Sequence, residues 1–180
     1  NLRTLLGYQW FFPGKKLIFM GGELGQVTEG DVNGEVDWGL LQQGPFHAGV
    51  QRWVSDLNHV YRSEPALWRG DYEADGFQWI DNGDHANSVL SFIRSDRESG
   101  GCVLVVLNLT PTLHRNYRVG LPRPGRWVEL LNSDAMLYGG GNQGNAGVVV
   151  AAPVSCHGQP QSAEFVLPPL SVCAFRAVGQ

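Results

Sequence analysis

The 180-residue chain is 43% hydrophobic and 17% charged, with 24 glycines and 10 prolines. That is apolar enough for a core and excludes intrinsic disorder, while so much glycine and proline favours strands and turns over helical bundles. Thirteen basic against seventeen acidic residues leave a net charge of −4, which argues against a nucleic-acid surface.

Residues 1–12 place Leu2, Leu5, Leu6, Gln9 and Trp10 in helical order, so the sequence opens inside a predicted helix that stops at Pro13-Gly14. Residues 15–20 (KKLIFM) predict a short buried strand ending at Gly21-Gly22. Such a continuous apolar run suits a parallel strand covered on both faces. A polar loop from 23 to about 46 is too long for a plain connection and is therefore a candidate for function. Val50, Trp53, Val54, Leu57 and Tyr61 then mark the apolar face of a helix over 47–63, which Glu64-Pro65 ends. Helix, strand, long loop and helix in this order form the tail of a β/α repeat.

After Gly70 the period changes to two. Strands are predicted at 77–80, 88–94, 102–108, 117–119, 126–131, 148–150, 164–167 and 172–176, separated by Gly, Asn, Asp or Pro. This spacing predicts an antiparallel β-sandwich with its boundary between Trp68 and Asp75. The expected class is mostly β, a C-terminal sandwich (70–180) preceded by the last β/α unit of a barrel (1–69). One such unit cannot close a barrel that needs eight. Without its barrel neighbours, the 15–20 strand is expected to expose apolar surface.

Several motifs fail on inspection. Gly139, Gly141 and Gly144 match GxGxxG, but the loop leads into a predicted strand rather than the helix that a dinucleotide fingerprint needs. Glu29, Asp31, Asn33, Glu35 and Asp37 crowd one loop. Counted from Asp31, however, glycine falls fourth and Gln42 takes the place of the bidentate Glu, so no EF-hand is present. Cys102, Cys156 and Cys173 are odd in number and contain no CxxC, and the five histidines form no HxxxH pair, so no metal is expected. Free thiols fit a reducing, cytoplasmic compartment, where the sequon Asn108-Leu109-Thr110 would be a chance match. The longest apolar run, 102–107, is far too short to span a membrane.

Asp37 and Trp38 are more informative. On a loop after a β/α strand, an indole can stack on the C–H face of a sugar while a carboxylate accepts its hydroxyl protons. Glu23, directly past the strand end, sits where barrel active sites gather.

These residues carry a resemblance. KKLIFMGGELGQ is similar to the eighth barrel strand and following loop of the α-amylase superfamily, and specifically of 1,4-α-glucan (glycogen) branching enzymes. The likeness continues through VDWGLL, GVQRWVSDLNHVYRSEPALW, GFQWIDNGDHANSVLSFIR, LVVLNLTP, ELLNSDAMLYGGGNQGN and SAEFVLPPLSVCAFR, nearly the whole chain, and favours the bacterial type. It implies a retaining transglycosylase that cleaves α-1,4 links and transfers the glucan segment to a 6-hydroxyl, forming α-1,6 branches. It implies no metal or organic cofactor; the implied partners are α-glucan and the N-terminal barrel of the same enzyme, with neither nucleic acid nor membrane.

The family's catalytic carboxylates precede the segment that this chain resembles, so no catalytic residue is assigned and the isolated chain is expected to be inactive. Glu23 and Gln26 match the strand-eight motif and Asp37-Trp38 an LDW-like motif, which makes these four the substrate-binding candidates. Where relatives carry an Arg-Glu-Trp-Asn-like stretch, this chain has Val27-Thr28-Glu29-Gly30-Asp31, without the Trp and Arg. The alternative is a stand-alone glucan-binding or purely structural sandwich of another α-amylase superfamily glycosidase, with Trp68, Trp79 and Trp127 as possible stacking faces.

Overall fold

The computed structural model describes residues 1–28, 30 and 33–179; Glu29 and Asp31 of the acidic loop lie outside them. Two α-helices, α1 (Leu2–Phe11) and α2 (Pro45–Ser63), precede eight strands: β1 (Phe77–Asp84), β2 (Val89–Ser95), β3 (Cys102–Asn108), β4 (His114–Leu121), β5 (Gly125–Asn132), β6 (Val148–Ala151), β7 (Gln161–Leu167) and β8 (Ser171–Ala177). Six form one sheet in the order β1-β2-β3-β8-β5-β6, and β4 pairs with β7 in a second. Every pairing is antiparallel, as the alternating patterns predict.

The layers explain the burial. Cys102, Leu104 and Val106 of β3 join Val119, Trp127, Phe165 and Phe175 in a cluster between the two sheets, where the Phe165 and Phe175 rings meet edge to face at 5.1 Å. Val103, Val105 and Leu107 point the other way, into a cluster with Leu6, Trp10 and Phe11 of α1 and Val50, Trp53 and Leu57 of α2. Covered on both faces, β3 is buried at all seven positions, and a continuous apolar sequence is what such a strand requires. One apolar cluster thus unites the helices with the sandwich.

Two of the glycines that close approach requires lie where the helices meet the rest of the chain. A Cβ on Gly7 would stand 2.2 Å from a Val172 methyl where α1 crosses β8. A Cβ on Gly49 of α2 would stand 2.5 Å from the Tyr138 carbonyl oxygen. There the Tyr138 hydroxyl donates to Asp56 at 2.6 Å, and its ring meets Trp53 edge to face at 4.8 Å.

The strand expected at residues 15–20 does not form. The segment keeps a strand-like alternation of exposure, with Leu17 76% and Phe19 68% exposed. A strand exists only through backbone pairing with a neighbour, and among the described residues no strand pairs with it. Gln9 instead donates to the Leu17 carbonyl, the Gly22 N–H donates to the Phe19 carbonyl at 2.8 Å, and the segment's own Lys16 amine reaches back to the Phe12 carbonyl.

Candidate functional site

The loop after this segment is organised by two short 3-10 turns, Gly22–Leu24 and Trp38–Gln42. Gly21 and Gly25 take left-handed conformations (φ 83° and 66°) on either side of the first turn, which glycine adopts without steric cost. The turn buries Leu24, whose carbonyl bonds the His47 ring at 2.7 Å, fixing the loop to the start of α2.

Three of the four candidates come together. The Gln26 side-chain oxygen accepts from the Asp37 backbone N–H at 3.0 Å, and its amide nitrogen donates to the Thr28 carbonyl at 3.3 Å. Asp37 caps the second turn, its Oδ1 accepting from the Gly39 N–H at 3.0 Å. Trp38 opens that turn and is 57% exposed. Glu23 sits half-buried on the first turn, and among the described residues no hydrogen bond or ion pair joins it to the other three. Beside Gln26 lies an open hollow of about 470 Å³ walled by Phe19, Met20, Gly22, Val27 and Thr28. The chemistry on offer is an exposed aromatic face beside a carboxylate and an amide, a set suited to hydroxyl-bearing ligands.

Sequence reasoning missed what holds this loop in place. Gly21 served there only as a strand end, yet a Cβ on it would stand 2.5 Å from Gln26 Oε1. The GlyGly pair was the available signal.

The sandwich tryptophans divide. Trp127 is fully buried between the sheets and donates to the Arg123 carbonyl at 3.3 Å, so it has no face to offer a sugar. Trp79 is half-buried in an aromatic cluster with Phe12, Phe77 and Phe92. Trp68 is partly exposed, with the Arg69 guanidinium 5.3 Å from its ring.

The rejected motifs are explained by geometry. In the glycine loop, the Asp134 carboxylate accepts from the N–H groups of Gly141 at 2.8 Å and Gln143 at 3.0 Å. An internal anion thus fills the place a phosphate would take, and β6 follows instead of a helix. Asn108 of the sequon is buried, donating to the Thr112 and Pro168 carbonyls and accepting from Thr110. Among the described residues no group of three or more His, Cys, Asp or Glu could hold a metal ion. Cys102, Cys156 and Cys173 are free thiols, and burial pushes the first and last above the ordinary thiol range. No helix among the described residues is long and apolar enough to cross a membrane.

Comparison with known proteins agrees with this architecture. The "1,4-alpha-glucan branching enzyme GlgB" of Aromatoleum aromaticum is 53% identical over 172 residues, covering 96% of this chain and 27% of that protein. The protein of the same name from Albidiferax ferrireducens is 49% identical over 179 residues, covering 99% and 28%. The chain therefore spans about a quarter of the length of these curated relatives. A solved structure of a MutB mutant from crystals soaked with trehalulose superposes with a TM-score of 0.58 at 15% identity, and trehalulose synthase MutB of Pseudomonas mesoacidophila with 0.55 at 16%. Each covers 98% of this chain and 38% of the other, a likeness of fold. Residues 79–178, more than half of the chain, match the family described as alpha amylase, C-terminal all-beta domain, and the chain belongs to that family.

Proposed function

We propose that this chain is the C-terminal part of a 1,4-α-glucan branching enzyme of the cytoplasm, in which residues 1–69 complete the catalytic barrel and residues 70–180 form the terminal sandwich. The observation that carries the reading is identity of about one half to branching enzymes across nearly the entire chain, the 23–38 loop included. In the parent enzyme a carboxylate contributed by the barrel attacks the anomeric carbon of an α-1,4 link while a second protonates the departing 4-hydroxyl. The 6-hydroxyl of another glucan chain, giving its proton back to the second carboxylate, then displaces the first and leaves an α-1,6 branch.

In this reading the chain supplies the rim of the glucan site and the support beneath it. The exposed Trp38 indole stacks on a glucose ring, and Glu23 and Asp37 accept hydroxyl protons. The sandwich acts structurally: its outer face and both helices share one apolar cluster, which fixes the base of the loop. The three free cysteines support a reducing compartment.

The test is amylose branching followed by the fall in iodine absorbance. The parent enzyme is expected to branch, residues 1–180 alone to be inactive, and Trp38→Ala in the parent to raise KM for amylose about tenfold. Sustained branching by the 180-residue chain would overturn the assignment of the chemistry to the barrel.

A further inference from the structure

We infer that Gln26 is a positioning residue that sets the orientation of Trp38 through the Asp37 peptide. This rests on the reading of Trp38 as a glucan-stacking residue and asks how that indole is held in place.

Both ends of the Gln26 amide are occupied within the loop. Its oxygen accepts from the Asp37 N–H at 3.0 Å, its nitrogen donates to the Thr28 carbonyl at 3.3 Å, and its own backbone N–H donates to the Gly21 carbonyl at 3.1 Å. Gly21 is the only residue type compatible with that arrangement, since a Cβ there would stand 2.5 Å from Gln26 Oε1 and 2.9 Å from Gln26 Cβ. One side chain thus ties together two arms of the loop eleven residues apart.

The arm it holds is the one that carries the indole. Asp37 is the cap of the turn beginning at Trp38: its Oδ1 accepts from Gly39 N–H at 3.0 Å and its carbonyl from Leu40 N–H at 3.2 Å. The Asp37 N–H held by Gln26 lies in the Val36–Asp37 peptide plane, whose Val36 carbonyl in turn accepts from the Trp38 N–H at 2.9 Å, so Gln26 fixes the plane from which the turn leaves the loop. Trp38 itself, among the described residues, hydrogen-bonds through its backbone N–H, which donates to the Val36 carbonyl, and not through its indole. Among the described residues no aromatic ring or cation packs on the indole. Its aim depends on the backbone beneath it. Without the Gln26 oxygen the Asp37 N–H is released to solvent, and the indole must be ordered by the ligand, a cost paid on binding rather than in the chemical step.

The experiment uses the whole parent enzyme and amylose. Gln26→Met removes both hydrogen bonds and is expected to raise KM about three- to tenfold, with kcat within about twofold. Gln26→Glu keeps an acceptor for the Asp37 N–H and is expected to recover most of that loss. The double variant Gln26→Met with Trp38→Ala is expected to match Trp38→Ala alone, because both changes act on one contact. Additive losses in the double variant, or a fall in kcat at unchanged KM, would overturn the positioning role. An unchanged KM in Trp38→Ala alone would instead overturn the stacking role on which it rests, so the two failures are distinguishable.

Discussion

The guanidinium of Arg94, buried on β2, donates through Nη1 to the carbonyl of Phe11, the last residue of α1, 2.8 Å away. It also donates to the Gly76 carbonyl at 3.2 Å and forms an ion pair with Asp71, which in turn accepts from the Gly14 N–H at 3.2 Å. A sandwich residue thereby caps the helix that precedes the loop and holds the segment between them, with a cation at the helix end where the carbonyls lack partners.

Arg94→Met is expected to cost about 3–5 kcal/mol, because it strands the Asp71 carboxylate and two carbonyls in a largely dry site. Urea unfolding of the 180-residue chain measures it; a loss below about 1 kcal/mol would show that the network is dispensable.

Gly49→Ala is expected to destabilise by about 1–3 kcal/mol, since the added methyl meets the Tyr138 backbone carbonyl, which cannot turn aside as a side chain could. Gly83→Ala is the control, its nearest neighbour being Asp81 Oδ1 at an ordinary 3.6 Å. Thermal denaturation should separate the two, and equal melting temperatures would contradict the close approach.

Burial lowers the Lys16 amine from 10.5 to about 8, with Asp71 opposing and Arg94 reinforcing the shift. Below pH 8 the amine is charged in both folded and unfolded chains, and the folded state bears the full cost of partial desolvation. Between about 8 and 10.5 the unfolded chain binds the extra proton, so this group makes stability rise with pH. Denaturation midpoints of wild type relative to Lys16→Met should therefore climb across that window, and a flat difference would contradict it.

Glu129 carries a carboxylate oxygen closed off from solvent without a hydrogen-bond partner. Burial raises its pKa above 4.5, partly offset by the side-chain and backbone N–H groups of Asn145. Its contribution is favourable below pH 4.5 and lost as pH rises through the folded-state value. Glu129→Gln should then raise the melting temperature at pH 7 and lose that advantage near pH 4. A lower melting temperature at pH 7 would point to a ligand or proton that the carboxylate needs.

Residues 15–20 and 102–108 show how far a continuous apolar run can be read. Both predict strands buried on two faces. The second is one, because β2 and β8 supply its hydrogen bonds, α1 and α2 cover one face and β4-β7 the other. The first has no strand partner among the described residues and remains outside both sheets. A run of KKLIFM specifies the wish to be covered; it does not specify by what.

The candidate loop was legible in its residue types and not in its connections. Asp37-Trp38 stands out because an acid beside a tryptophan on a polar loop is chemically suggestive. The link from Gln26 to Asp37 is a contact across eleven residues with no period to announce it. Local sequence marked the two helices and the eight strands, together with a strand at 15–20 that does not form, since the 3.6- and 2-residue periods act within a few residues. Only the tertiary structure decided which faces meet, which tryptophan is sealed and which is open. It also decided that an aspartate rather than a phosphate occupies the glycine loop. Those outcomes depend on packing and hydrogen bonds between distant segments, which only the folded chain brings within reach of one another.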